Sequence, residues 1–179
     1  EGARAGDDIY VSGTLGAAWA ALHHLTGDIT LSAEAFPAAL RRLERPSARN
    51  ALGTALLSAA SACADISDGL AQDLGHILER SDVGAELLIE AIPANPSVRS
   101  LSRENLLTAL LRGGDDYELV FTAPSEKRGL VEQAAISALT PITCIGRIVR
   151  KDSQMRRLTV RDAAGRSLPL SLEGFDHFN

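Results

Sequence analysis

Asp65 and Asp68 stand three residues apart, enclose Ile66 and Ser67, and run into Gly69 and Leu70. Paired oxygen donors at this spacing suit a hard divalent cation. In a β-turn the end Cα atoms lie within about 7 Å. Both carboxylates then reach one Mg²⁺, whose ligands sit at about 2.1 Å. Behind the turn, Leu70, Leu74, Ile77 and Leu78 recur at helical spacing, with Gln72, Asp73 and Glu79 between them. The free N–H groups of a helix start attract anions, so a cation beside it suits a nucleotide phosphate. A plainer role competes. Asp68 and Ser67 are good N-caps, and taken alone this stretch favours capping. Capping leaves Asp65 unexplained: it follows apolar residues, is expected to be half-buried, and there needs a partner.

A second stretch runs Gly113-Gly114-Asp115-Asp116-Tyr117-Glu118-Leu119-Val120-Phe121. Two glycines and two acids precede an alternating strand in which Tyr117, Leu119 and Phe121 share a face. The glycines permit backbone closed to other residues, or close approach of a ligand. By itself the stretch is better read as a helix C-cap and a solvated turn.

Together the motifs resemble one family. Ala64-Asp65-Ile66-Ser67-Asp68-Gly69-Leu70, Gly113-Gly114-Asp115-Asp116-Tyr117-Glu118-Leu119 and Gly174-Phe175-Asp176-His177-Phe178 are similar to thiamine-monophosphate kinase. So are Gly6-Asp7-Asp8-Ile9-Tyr10-Val11-Ser12-Gly13-Thr14-Leu15-Gly16 and Arg45-Pro46. The resemblance spans nearly the whole chain, in order, but only the C-terminal half of that enzyme. It implies transfer of the γ-phosphoryl group of ATP to thiamine monophosphate, giving thiamine diphosphate. It implies Asp65 and Asp68 as Mg²⁺ ligands, Ser67 at ATP, Asp115 at the thiamine phosphate with Asp116 supporting it, and Phe175 near the thiamine moiety. The family often has Glu at the Asp115 position, so the reach here is shorter. It also implies a three-layer α/β/α domain with a mixed sheet, as in relatives of aminoimidazole ribonucleotide synthetase. An N-terminal ATP-binding domain of the same protein is the expected partner, with a homodimer in the full-length enzyme. Residues 1–179 would form a single C-terminal domain, inactive alone. The alternatives are a related ATP-dependent enzyme of the same fold, against which the full pair of motifs argues, and a non-catalytic nucleotide- or phosphate-binding module.

The remaining residues agree in kind. The 179 residues suffice for one domain, with 45% hydrophobic and 23% charged content. A net charge of −5 and 4% aromatics argue against nucleic-acid binding. No apolar run approaches the ~20 residues that span a bilayer, and no signal peptide is seen, so a cytoplasmic location is expected. Cys63 and Cys144 lack metal or redox spacing and read as buried free thiols. The only Met is Met155, and the opening Glu1-Gly2-Ala3-Arg4 reads as a linker within a longer protein.

These residues need elements to hold them. A strand is expected from Asp8 to Gly13, then a turn at Gly13–Gly16 and a helix to Leu25 with Gly27 as C-cap. That turn lacks a P-loop lysine and reads as a plain tight turn. Helices follow from Ala33, entered at Ser32, and over the Ala-rich stretch from Ala51, capped by Asn50. Arg41, Arg42 and Arg45 suit the dipole at a helix C-terminus. Val83 to Glu90 reads as a strand, Ser102 opens a helix to Arg112, and Pro124 opens another to Leu139. Ile142–Val149 and Met155–Arg161 read as a basic hairpin, a charged edge that blocks aggregation. Helices lead the first half and strands the second, which argues for an α+β class or mixed α/β layers, not a regular parallel alternation.

Overall fold

The computed structural model describes residues 2–151 and 157–168. Six strands form one sheet in the order β2-β4-β1-β5-β3-β6. They are β1 (Asp8–Ser12), β2 (Ala62–Asp65), β3 (Val83–Leu88), β4 (Leu119–Ala123), β5 (Ile142–Arg150) and β6 (Leu158–Arg161). All neighbours run antiparallel except β3 and β6, which are parallel. The helices are α1 (Ala17–Thr26), α2 (Phe36–Glu44), α3 (Asn50–Ala55), α4 (Leu70–Ser81), α5 (Arg103–Leu111) and α6 (Arg128–Ser137). This is the expected α+β class: a mixed sheet with helices on both faces.

Strand alternation sorts the layers. Ile9 and Val11 of β1 point with Val120 and Ile145 toward the apolar stripe of α4, Leu70, Leu74, Ile77 and Leu78. Tyr10, between them, points the other way with Phe121, into a cluster closed by Leu52 and Leu56 and by Val131 and Ala134 of α6. The Tyr10 and Phe121 rings stack at 5.2 Å. A third cluster joins α1, α2 and α5 through Ala20, Ala39 and Ala109. Alanines there let the three helices approach closely beside the sheet.

Several elements depart from the sequence reading. The Ala-rich stretch is not one helix. It breaks after Ala55 into a 3₁₀ turn over Leu56–Ser58 and then becomes the edge strand β2. Pairing with β4, from Ala62 opposite Thr122 to Asp65 opposite Leu119, overrides alanine's helical preference. Asn50 lies inside α3, and Arg49 takes the cap position. Helix α2 starts at Phe36, because Ser32 organises a preceding turn in which its Oγ accepts from the Ala35 N–H at 3.2 Å.

The expected basic hairpin does not form. β3 lies between β5 and β6, and β6 runs parallel to it so that Leu158 and Val160 are buried. The basic residues pair with acids instead of lining one edge. Arg147 and Arg161 share Glu86, and Lys151 and Arg157 share Asp82. Arg156 and Met155 lie outside the described residues. Both cysteines are exposed rather than buried, each lining a surface cleft. Among the described residues no helix is long and apolar enough to cross a membrane.

Candidate functional site

The two acidic motifs meet edge to edge. Beyond the β2–β4 ladder, the Ile66 N–H donates to the Glu118 carbonyl at 2.7 Å, and the Tyr117 N–H donates to the Ile66 carbonyl at 3.0 Å. The Asp115 N–H then donates to the Ser67 carbonyl at 3.0 Å. Strand pairing thus continues into both loops and fixes one against the other. The glycines serve this contact. A Cβ on Gly114 would collide with the Ser67 carbonyl, and one on Gly69, at φ 122°, would meet the Arg112 backbone at 2.9 Å. The close approach expected of the glycines is therefore between the loops themselves.

The turn from Ser67 to Gly69 is held from below by a residue the sequence reading passed over. Asp73 Oδ2 accepts the N–H groups of Ser67, Asp68 and Gly69 at 3.0, 3.1 and 3.1 Å. Burial raises the Asp73 pKa, while these three donors favour its charged form. Asp73 sits at helical offset from Gly69 and so reaches back over the open start of α4. That geometry corrects the capping assignment. Gly69, not Asp68 or Ser67, occupies the cap position of α4, without a side-chain cap bond. The Asp68 carboxylate is left with a 3.4 Å contact from the Gln72 amide. Asp65 is exposed, not half-buried, because β2 is the sheet's edge.

In the second motif the side chains alternate in and out. Asp115 (φ 65°) and Tyr117 (φ 50°) both have left-handed backbone, an unfavourable conformation for non-glycine residues. Asp116, between them, turns inward. Its carboxylate accepts the N–H of Gly16 at 2.6 Å and of Ala18 at 3.4 Å and so caps α1. Burial pushes its pKa up to about 6. The Gly13–Gly16 turn accordingly spends its helix-start donors on a protein carboxylate. Asp116 supports the loop and faces away from Asp115.

Asp115 and Tyr117 turn outward. The Tyr117 hydroxyl donates to Asp115 Oδ1 at 3.4 Å. The Asp115 charge raises the phenol's pKa most; burial, the hydrogen bond and the charges of Asp65 and Asp68 add to it. Three carboxylates from two loops therefore bear on one hydroxyl. Asp65 and Tyr117 also line a cleft of about 640 Å³, with Arg49, Asn50, Thr54 and Leu57 on its walls.

These acids fit a divalent cation that arrives with a phosphate. None of the ion pairs among the described residues involves Asp65, Asp68 or Asp115. Equally, no three His, Cys, Asp or Glu side chains of the described residues converge tightly enough to hold an ion by themselves. Mg²⁺ usually keeps several waters and takes one or two carboxylates plus substrate phosphate oxygens. Phe175, expected near the substrate, lies outside the described residues.

Arg42 lies in the last turn of α2, where a cation suits the dipole, and its side chain also has specific partners. It donates to Glu118 Oε1 at 2.7 Å and to the Asp116 carbonyl at 3.2 Å. Arg49 makes two further bonds to the same carboxylate. The signal for this cluster was present: Glu118 alternates onto the face of buried Val120, and a buried acid needs cations.

Residues 4–157 match the family described as AIR synthase related protein, C-terminal domain. The chain belongs to that family. Within it, thiamine-monophosphate kinase of Haemophilus influenzae is 40% identical over 178 residues, 98% of this chain and 54% of that protein. The crystal structure of thiamine-monophosphate kinase from Stenotrophomonas maltophilia K279a superposes with a TM-score of 0.80 at 39% identity, over 89% of this chain and 51% of that one. The structure of AaThiL complexed with AMPPCP and TMP superposes with a TM-score of 0.77 at 31% identity, over 99% of this chain and 53% of that one. The chain spans about half the length of the curated relatives it matches.

Proposed function

We propose that the protein containing this chain phosphorylates thiamine monophosphate with ATP, yielding thiamine diphosphate and ADP, and that this chain supplies part of the site. The observation that carries the proposal is the backbone interlock of the Asp65–Asp68 turn with the Asp115–Tyr117 loop, which brings the two acidic motifs side by side. Support comes from the family, and from a relative whose structure holds AMPPCP and TMP.

Both reactants carry phosphate, so charge repulsion is the chemical problem. Mg²⁺ would supply charge neutralisation and in-line positioning of the phosphates. Asp65 and Asp68 would hold it on an exposed rim, where a cation still bearing water and nucleotide can enter. The Ser67 hydroxyl, between them, would touch ATP. Asp115, anchored to Ser67 by its own N–H, would sit at the thiamine phosphate. Phe175 would pack against the thiamine moiety. Phosphoryl transfer asks little covalent chemistry of the protein, and no side chain is assigned as a nucleophile. The rest of the ATP site would come from an N-terminal domain of the same cytoplasmic protein, with a homodimer as its expected state.

The test is a coupled assay of ADP and thiamine diphosphate formation. Turnover is expected with the longer native protein and none with residues 1–179 alone at saturating Mg²⁺. Absence of turnover in the longer protein, with ATP bound, would reject the reading. Turnover by residues 1–179 alone would show that the ATP site is misplaced.

A further inference from the structure

Glu118 is 0% exposed, yet its carboxyl group faces two arginines. Its carboxylate accepts the Ser12 hydroxyl at 2.5 Å, Arg42 at 2.7 Å, and Arg49 through Nε at 2.7 Å and Nη2 at 2.5 Å. The groups come from β1, from α2, and from the segment before α3. Against burial, the hydrogen bonds from Arg49 and Ser12 and the two guanidinium charges lower the Glu118 pKa. Gly13 makes the room: a Cβ there would collide with the carboxylate.

A buried ion cluster is weak evidence of added stability, since apolar residues of like volume often serve as well. The bonds running out of this cluster point to another role. Arg42 reaches past Glu118 to the Asp116 carbonyl, next to Asp115. Ser12 Oγ accepts the Leu119 N–H at 2.8 Å while donating to Glu118. The Glu118 carbonyl takes the Ile66 N–H, one residue beyond Asp65. One residue therefore ties both motif loops to β1 and α2: its side chain holds Ser12, Arg42 and Arg49, and its carbonyl takes the Ile66 N–H.

We infer that Glu118 is a positioning residue: through Arg42, Arg49 and Ser12 it sets the Asp115–Tyr117 loop against the Asp65–Asp68 turn, and so the spacing between acceptor phosphate and metal-binding carboxylates. This rests on the proposed kinase reading, but its structural half is readable without turnover.

The test uses the longest native protein containing these residues, with Glu118→Gln and, as a shorter carboxylate, Glu118→Asp. Amide exchange at Ile66, Asp115 and Tyr117 should quicken about tenfold or more in Glu118→Gln, while α4 amides keep their rates. KM for thiamine monophosphate should rise about tenfold, with a smaller change in kcat and partial recovery in Glu118→Asp. Arg49→Lys, which keeps the charge but loses the paired bonds, should loosen the same amides and serves if Glu118→Gln does not fold. Uniformly faster exchange throughout, or unchanged exchange at these three amides, would overturn the inference. If the wild-type protein does not act on thiamine monophosphate, the kinase reading fails, and the exchange data still decide the role of Glu118.

Discussion

The Asp115 N–H donates to the Ser67 carbonyl at 3.0 Å, so the residue proposed at the acceptor phosphate hangs directly from the residue proposed at ATP. Ser67 and Asp115 lie 48 positions apart in the chain, and this bond holds the two proposed subsites side by side. Its weak point is steric.

Gly114→Ala places a methyl group against the Ser67 carbonyl. The loops must separate, which costs about 1–3 kcal/mol of stability as overpacking. Activity of the longer protein should fall at least about tenfold even where it remains folded. Urea denaturation and steady-state kinetics on the same preparation read both effects. Wild-type activity would mean that the contact does not position the site.

Asp68→Asn and Asp65→Asn separate the metal role from a structural one. Neither carboxylate caps α4, and neither is in an ion pair among the described residues. Stability should change by no more than about 0.5 kcal/mol. Turnover should drop sharply and demand more Mg²⁺, since a ligand charge is lost. Thermal melting and Mg²⁺ titration of the rate make the check. Normal turnover in both variants would exclude these residues as ligands.

Asp73→Ala removes the acceptor shared by three backbone N–H groups of the Ser67–Gly69 turn. Leaving these partly buried donors unpaired should cost about 1–3 kcal/mol. Asp73→Asn keeps one carbonyl acceptor and should recover part of that loss. Denaturation midpoints of the two variants give the comparison. Equal stability of Asp73→Ala and wild type would show that water replaces the carboxylate without cost.

The site's acids could be read from their types, and the helix behind Asp65 from the spacing of Leu70, Leu74, Ile77 and Leu78. What escaped was the strand in front of them. Ala62-Cys63-Ala64 carries no β signature, and only pairing with β4 makes it extended. That pairing puts Asp65 on an open edge, so its expected half-burial failed. Asp73 stood out only as a polar residue between the apolar positions of the helix, although helical offset carries its oxygen back to the turn. Arg42 and Arg49 lie about 70 residues from Glu118, a contact that no local pattern encodes. The hairpin assignment failed for a related reason: sequence adjacency of β5 and β6 says nothing of β3 entering between them.

Asp116 supplies a pH signature. Burial raises its folded-state pKa to about 6, from an ordinary value of 3.8. A group whose folded pKa lies above its unfolded pKa favours folding most below the unfolded value. That contribution is then lost as pH rises through the folded one. Stability should therefore decline from about pH 4 to just above 6 by an amount on the order of 3 kcal/mol from this group. Asp116→Asn cannot ionise, yet its amide oxygen still accepts the Gly16 N–H, and Asn caps helices about as well as Asp. The variant should lack this portion of the decline, so the stability difference between wild type and variant should shift in the variant's favour as pH rises. Chemical denaturation of both proteins at half-unit intervals from about pH 4 to 7.5 measures that difference, with other titrating groups common to both. Parallel curves would show that the Gly16 and Ala18 donors at the start of α1 offset the cost of burying the charge, and that Asp116 titrates as it does in the unfolded chain.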